Sequence, residues 1–185
     1  MIEPWASKTA FETIFSDAIN SMCCCCLSNS SFIELYKSGS VVDKSLSKKF
    51  GYFAGDDLTR FKELEKAQNS KLIIFAKGGW GSARLLEKNP SWQHGLMLGF
   101  SDTCSLLLSK YSQGFIGSIH GPMVTGLFKE PEWSLERLRN LLFEGYVEDI
   151  IGIPLRGGKA KGEIIVSNLT IATFLIGTNH FPDCK

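Results

Sequence analysis

Apolar positions recur at spacings of three and four over residues 10–22, where Ala10, Phe11, Ile14, Phe15, Ala18, Ile19 and Met22 share one side of a helix. The pattern then lapses, and residues 28–49 are polar with only short apolar clusters. Asp56 or Asp57 is placed to cap a second helix, with Leu58, Phe61 and Leu64 on its buried face. From residue 72 onward, short continuous apolar runs alternate with amphipathic stretches. Residues 72–76, 96–100 and 115–120 read as strands covered on both faces. Residues 82–88, 102–109 and 133–143 read as helices. In the last of these, Leu135, Leu138 and Leu142 face one way and Arg137 and Arg139 the other. Strand, turn and helix in repetition predict an α/β fold with a parallel sheet and helices on both faces.

The pattern changes after Glu148. Residues 150–155 are apolar, Arg156-Gly157-Gly158 reads as a turn, and residues 162–167 as a strand. Asn168 is placed to cap a short helix that ends at Gly177. The expected division is an α/β domain over residues 1–148 and the incomplete beginning of a β-rich second domain over residues 149–185. Such an edge would expose apolar surface between Ile150 and Ile176 and favour association.

Composition narrows the picture. Of 185 residues, 44 % are hydrophobic and 21 % charged, which supports a packed core rather than disorder. A net charge of +1 gives no electrostatic basis for binding nucleic acid or an anionic membrane surface. The longest apolar runs fall far short of the ~20 residues a spanning helix needs. Glu3 sits where a secretory signal carries basic residues, and Asp17 interrupts the first amphipathic stretch, so a cytoplasmic protein is expected. Cys23 to Cys26 are contiguous and lack the spacer of a zinc knuckle, so they read as reduced, small hydrophobic residues. His94 and His180 have no partner at metal-ligand spacing.

Three places carry candidate chemistry. Gly79-Trp80-Gly81-Ser82-Ala83-Arg84 follows a strand and opens a helix. It has two of the three glycines of a dinucleotide fingerprint, with Arg84 in place of the third. It reads equally as a tight turn, or as backbone amides facing an anion or oxyanion. Gly99-Phe100-Ser101-Asp102-Thr103 sets a serine between an apolar strand and a helix. A sharp bend there exposes the hydroxyl and brings the next amide beside it, although Thr103 replaces the second glycine of the general elbow motif. The alternative is that Ser101 caps the helix. His120-Gly121-Pro122 follows the third strand. His120 is a candidate base, or a side chain that holds its loop.

Taken in order, Gly51-Tyr52-Phe53-Ala54-Gly55-Asp56-Asp57, Lys77-Gly78-Gly79-Trp80-Gly81-Ser82-Ala83-Arg84, Gly99-Phe100-Ser101-Asp102, His120-Gly121-Pro122 and the segment from Gly177 to Asp183 resemble one family. That family is the serine LD-carboxypeptidases, which comprise murein tetrapeptide carboxypeptidases and microcin-immunity proteins. The resemblance covers residues 50–185 and does not account for the cysteine block. It implies that Ser101 is the nucleophile and that the amides of Asp102 and of Gly78 or Gly79 form the oxyanion hole. It places Trp80 where an aromatic residue is expected. Trp80 and His120 are then candidates for substrate contact. It implies no metal or cofactor. It implies a cytoplasmic enzyme acting on a muropeptide or a related small peptide, with a peptidyl nucleotide also compatible, and it allows a homodimer. The family's triad glutamate and histidine lie beyond the Gly177–Asp183 motif. These 185 residues alone are therefore expected to be inactive. The competing readings are a non-catalytic remnant or interaction module, and a nucleotide-binding α/β domain.

Overall fold

A computed structural model describes residues 49–184, so the 10–22 helix and the Cys23–Cys26 block lie outside the described residues. Three short strands, β1 (Leu72–Ile74), β2 (Leu96–Gly99) and β3 (Ser118–His120), form a parallel sheet in the order β1-β2-β3. Ile73 lies opposite Met97, and Leu98 opposite Ile119, while Gly99 is in register with His120. Among the described residues, five α-helices accompany the sheet: α1 (Asp57–Ala67), α2 (Ala83–Leu86), α3 (Cys104–Ser112), α4 (Glu132–Phe143) and α5 (Leu169–Leu175).

Side-chain alternation along the strands explains how both faces are covered. Met97 is buried on one face together with Leu64 of α1, Leu85 and Leu86 of α2, Leu106 and Leu107 of α3, and Leu175 of α5, and Ile73 packs against them. Leu98 is buried on the other with Leu127 and with Leu138 and Leu142 of α4, and Leu72, Ile74 and Ile119 pack against these. The expected α/β architecture, with helices on both faces of a parallel sheet, is therefore what forms.

Local chemistry sets the boundaries. Asp56 caps α1, its carboxylate accepting the Thr59 amide at 2.8 Å. Leu64 is buried and Phe61 half-buried in the core, but Leu58, one turn earlier on that side, lies beyond the core's edge and is exposed. The third strand is shorter than its apolar run because Gly117 adopts φ +99° just before it. A side chain there would meet the Gly95 carbonyl oxygen at 2.5 Å. α3 is buried nearly all round, and its polar positions are paired inside the protein. The Ser105 hydroxyl donates to the Asp102 carbonyl at 3.0 Å, and the Lys110 ammonium to the Gln93 carbonyl. Burial lowers the Lys110 pKa from its ordinary value.

The expected strand at residues 162–167 does not form. No other described strand runs beside it to accept its hydrogen bonds, and a lone strand has nothing to pair with. Ile164 and Val166 stay exposed, while Ile165 packs onto the core. Ile151, Ile153 and Leu155 are almost wholly exposed. α5 forms as expected: the Asn168 side chain accepts the Ile171 amide at 3.2 Å, and Gly177 follows the helix at φ +84°.

The segment after α5 docks on α3. The Trp92 indole donates to the Ser109 hydroxyl at 3.2 Å, and the same hydroxyl is hydrogen-bonded to His180 Nδ1 at 2.8 Å. Burial lowers the His180 pKa below the ordinary 6.5. Between those two values the unfolded chain binds more protons than the folded one. The contribution is complete above pH 6.5 and is lost as pH falls through the folded-state value. Burial of His120 acts in the same direction. Urea unfolding is thus expected to show a midpoint that declines from pH 7 towards about pH 5, with a smaller decline in His180→Gln. An unchanged slope in that variant would remove His180 from the account.

Candidate functional site

The site is built where β2 gives way to α3. Phe100 is still extended, at φ −156° and ψ 162°, and Ser101 then turns to φ +61°. Among the described residues only Asn89 is another non-glycine residue at positive φ. An L-residue in this region pays roughly 1–2 kcal/mol, so the bend persists only because its surroundings enforce it. Thr103 is one enforcer. Its hydroxyl accepts from the Phe100 amide at 2.8 Å and donates to the Phe100 carbonyl at 2.9 Å. Gly99 is another, since a Cβ there would fall 2.3 Å from Thr103 Oγ1. The replacement of the motif's second glycine by Thr103 thus supplies the lock on the bend.

Ser101 makes no capping hydrogen bond, and no side-chain cap begins either the 3-10 turn Ser101–Thr103 or α3. Its side chain faces the glycine turn that follows β1. A Cβ on Gly78 would lie 3.1 Å from the Ser101 Cβ and 3.3 Å from the Phe100 carbonyl oxygen. Among the described groups, the backbone amides of Gly78, Gly79 and Trp80 have no acceptor. The Asp102 amide lies in a first helical turn, where amides lack an intrahelical partner. The turn that carries these amides therefore packs beside half-buried Ser101, and amides left without an acceptor are able to hold an oxyanion.

Two features of this site were not legible in the sequence. The Asp102 carboxylate, in a residue only 4 % exposed, accepts the Ser82 amide at 2.8 Å and so joins the bend to the glycine turn. On the outer side, Phe53 stacks on Trp80 with centroids 5.5 Å apart. The Arg60 guanidinium lies 4.7 Å from the Phe53 centroid and donates to the Gly81 carbonyl at 3.2 Å. Asp57 pairs with both Arg60 and Arg84, which holds its carboxyl below the usual range, chiefly through the hydrogen bond from Arg84. The motif around Phe53 and Asp57 marked the region, but nothing in it revealed this packing. Trp80 itself is 66 % exposed, a broad apolar face open beside the turn.

His120 is not joined to Ser101. Its ring meets Phe100 edge-on, with centroids 5.5 Å apart, and Nε2 is buried without a described partner. Burial lowers its pKa, favouring the neutral ring. It lines a cavity of about 430 Å3 together with Ile119, Arg137, Leu141 and Val166, and Ser101 is not part of that lining. His94 and His180 lie elsewhere, against Phe115 and Ser109. No described helix is long and apolar enough to cross a membrane.

A parallel α/β sheet here carries a strained serine at a strand-to-helix bend beside a glycine turn, the local form that nucleophile elbows take. The comparisons make the assignment specific. Residues 29–121 match the model of the LD-carboxypeptidase N-terminal domain, and the chain belongs to that family. It is 41 % identical over 150 residues to a Synechocystis sp. protein named as a carboxypeptidase, a match covering 73 % of this chain and 46 % of that protein. It is 28 % identical over 168 residues to the murein tetrapeptide carboxypeptidase of Pseudomonas aeruginosa, covering 79 % of this chain and 53 % of the enzyme. The chain thus spans about half the length of the curated relatives it matches. Its fold superposes on the microcin C7 self-immunity protein MccF with a TM-score of 0.60 at 19 % identity, covering 98 % of this chain and 62 % of that one.

Proposed function

We propose that these residues are the nucleophile-bearing part of a serine LD-carboxypeptidase that releases the terminal D-alanine of murein tetrapeptides. The observation that carries this reading is Ser101, held at φ +61° with its Cβ beside Gly78 and the unpaired amides of the glycine turn. The Ser101 hydroxyl attacks the carbonyl carbon of the L-to-D peptide bond, and a base takes its proton. The oxyanion is met by the amides of Asp102 and of Gly78 or Gly79. Collapse expels the D-alanine amine, which regains the proton, and water then cleaves the acyl-serine. Trp80 offers its exposed face to the peptide, whereas His120, its Nε2 buried and its cavity not lined by Ser101, is given no substrate contact in this reading. The reaction needs no metal or cofactor. The substrate is a cytoplasmic muropeptide or a small peptide like it, and association into a homodimer fits the family resemblance.

A hydroxyl without a base is a poor nucleophile at neutral pH. No described histidine hydrogen-bonds to Ser101, so these 185 residues by themselves are expected to release negligible D-alanine. The resemblance assigns the glutamate and histidine of the triad to the second half of the family's proteins. Residues 1–185 joined to the remaining half of the Synechocystis relative should therefore release D-alanine from murein tetrapeptide. Absence of release from a folded extended protein would overturn the peptidase reading. Ser101-dependent release by the 185 residues alone would overturn the claim that they lack a base.

A further inference from the structure

We infer that the side chain of Asp102 is a positioning residue that couples the two halves of the oxyanion hole. This rests on the peptidase reading above. Asp102 has two places in the geometry. Its own amide is one donor to the oxyanion. Its carboxylate, buried with a residue exposure of 4 %, accepts the Ser82 amide across 20 residues of chain. Ser82 is itself buried and closes the turn that carries Gly78, Gly79 and Trp80.

The turn has few other restraints from inside the domain. Its glycines are intrinsically free, with φ +130° at Gly79 and +98° at Gly81, and the three amides from Gly78 to Trp80 make no hydrogen bond to a described group. From outside it is held by Arg60 on the Gly81 carbonyl and by Phe53, whose ring fills the place of a Gly81 side chain. Among the described residues, the Asp102–Ser82 bond is the one hydrogen bond that ties the turn to the segment bearing the nucleophile, beside the packing of Gly78 on Ser101. Losing the acceptor leaves the buried Ser82 donor unpaired. One residue thus fixes the spacing of both donors relative to the Ser101 hydroxyl. That spacing decides how well the oxyanion is met.

The test uses the 185-residue chain and three variants. Asp102→Ala removes the acceptor. Asp102→Asn keeps an oxygen able to accept the same bond. Ser82→Pro removes the donor at φ −65°, a value proline adopts. The readouts are hydrogen exchange at the Ser82 amide and backbone order parameters at Gly79 and Trp80, with Leu98 and Leu107 as core reporters.

Asp102→Ala should speed Ser82 exchange by about ten-fold or more, the loss expected when a buried donor is left without its acceptor. It should also drop the turn's order parameters from about 0.85 towards 0.6 while the core reporters hold. Asp102→Asn should restore both, and Ser82→Pro should reproduce the loosened turn. Equal acceleration at core and turn, or an Asn variant no better than Ala, would overturn the inference, and an unchanged turn in Ser82→Pro would do so even if Asp102→Ala failed to fold. A turn that loosens as expected in a chain whose extended form releases no D-alanine would sustain the positioning role and reject the peptidase reading. Release that persists with an unresponsive turn would do the reverse.

Discussion

Ser101→Ala in the extended protein is expected to lower D-alanine release by about 10³- to 10⁶-fold, the range seen when a serine hydrolase loses its nucleophile. The hydroxyl is the only atom removed, and it forms the bond to the substrate carbonyl. Trp80 and the glycine amides are untouched, so KM should move little while kcat falls. The fold should survive, because alanine carries the same Cβ at φ +61° that serine does. Steady-state kinetics with murein tetrapeptide and a urea titration of the same variant check both halves. A loss confined to KM would assign Ser101 to binding and leave the reaction without its nucleophile.

Gly99→Ala is expected to damage stability and activity together. The new Cβ would lie 2.3 Å from Thr103 Oγ1 and 2.8 Å from Phe75 Cδ2. Thr103 cannot swing away cheaply, because its hydroxyl serves both the amide and the carbonyl of Phe100. Overpacking costs about 1–3 kcal/mol, and the disturbed hydrogen bonds add roughly 1 kcal/mol. The sum, about 2–4 kcal/mol, should lower Tm by roughly 10 °C. Release by the extended protein should fall by at least about 10²-fold, since a displacement near 1 Å at the reacting atom is enough for that. Gly79→Ala is the contrasting case: a Cβ there meets nothing within 4 Å, so the cost is the strain of φ +130° alone. If both variants unfolded at the wild-type midpoint, the close packing around the bend would not be what holds it.

The parts of this fold that could be read in advance were those decided by neighbours in sequence. Continuous apolar runs placed Leu72, Met97 and Ile119 on buried strands, and the three-and-four spacing of Leu135, Leu138 and Leu142 gave α4 its buried side. The serine between a strand and a helix marked the bend, although its left-handed backbone could not be foreseen at a non-glycine position. What escaped were effects between distant segments. Residues 162–167 have strand chemistry, yet a strand needs a partner and the described residues supply none. Gly117 shortens β3 because the Gly95 carbonyl approaches it from another loop. The Asp102 carboxylate accepts the Ser82 amide across 20 residues of chain, a contact that no local pattern announces. Leu58 matched the spacing of Phe61 and Leu64, but periodicity does not say where the core ends.

The central claim is that surrounding structure forces the Ser101 backbone into a strained bend in order to present its hydroxyl. Ser101→Gly tests it by the sign of one free energy. Glycine accepts φ +61° without the side-chain clash. After the extra chain entropy that glycine loses on folding, the variant should be more stable than the parent by about 0.5–1 kcal/mol in urea unfolding. A Ser101→Gly chain as stable as the parent, or less stable, would contradict the account, because Ser101 would then be an ordinary residue at the start of a helix.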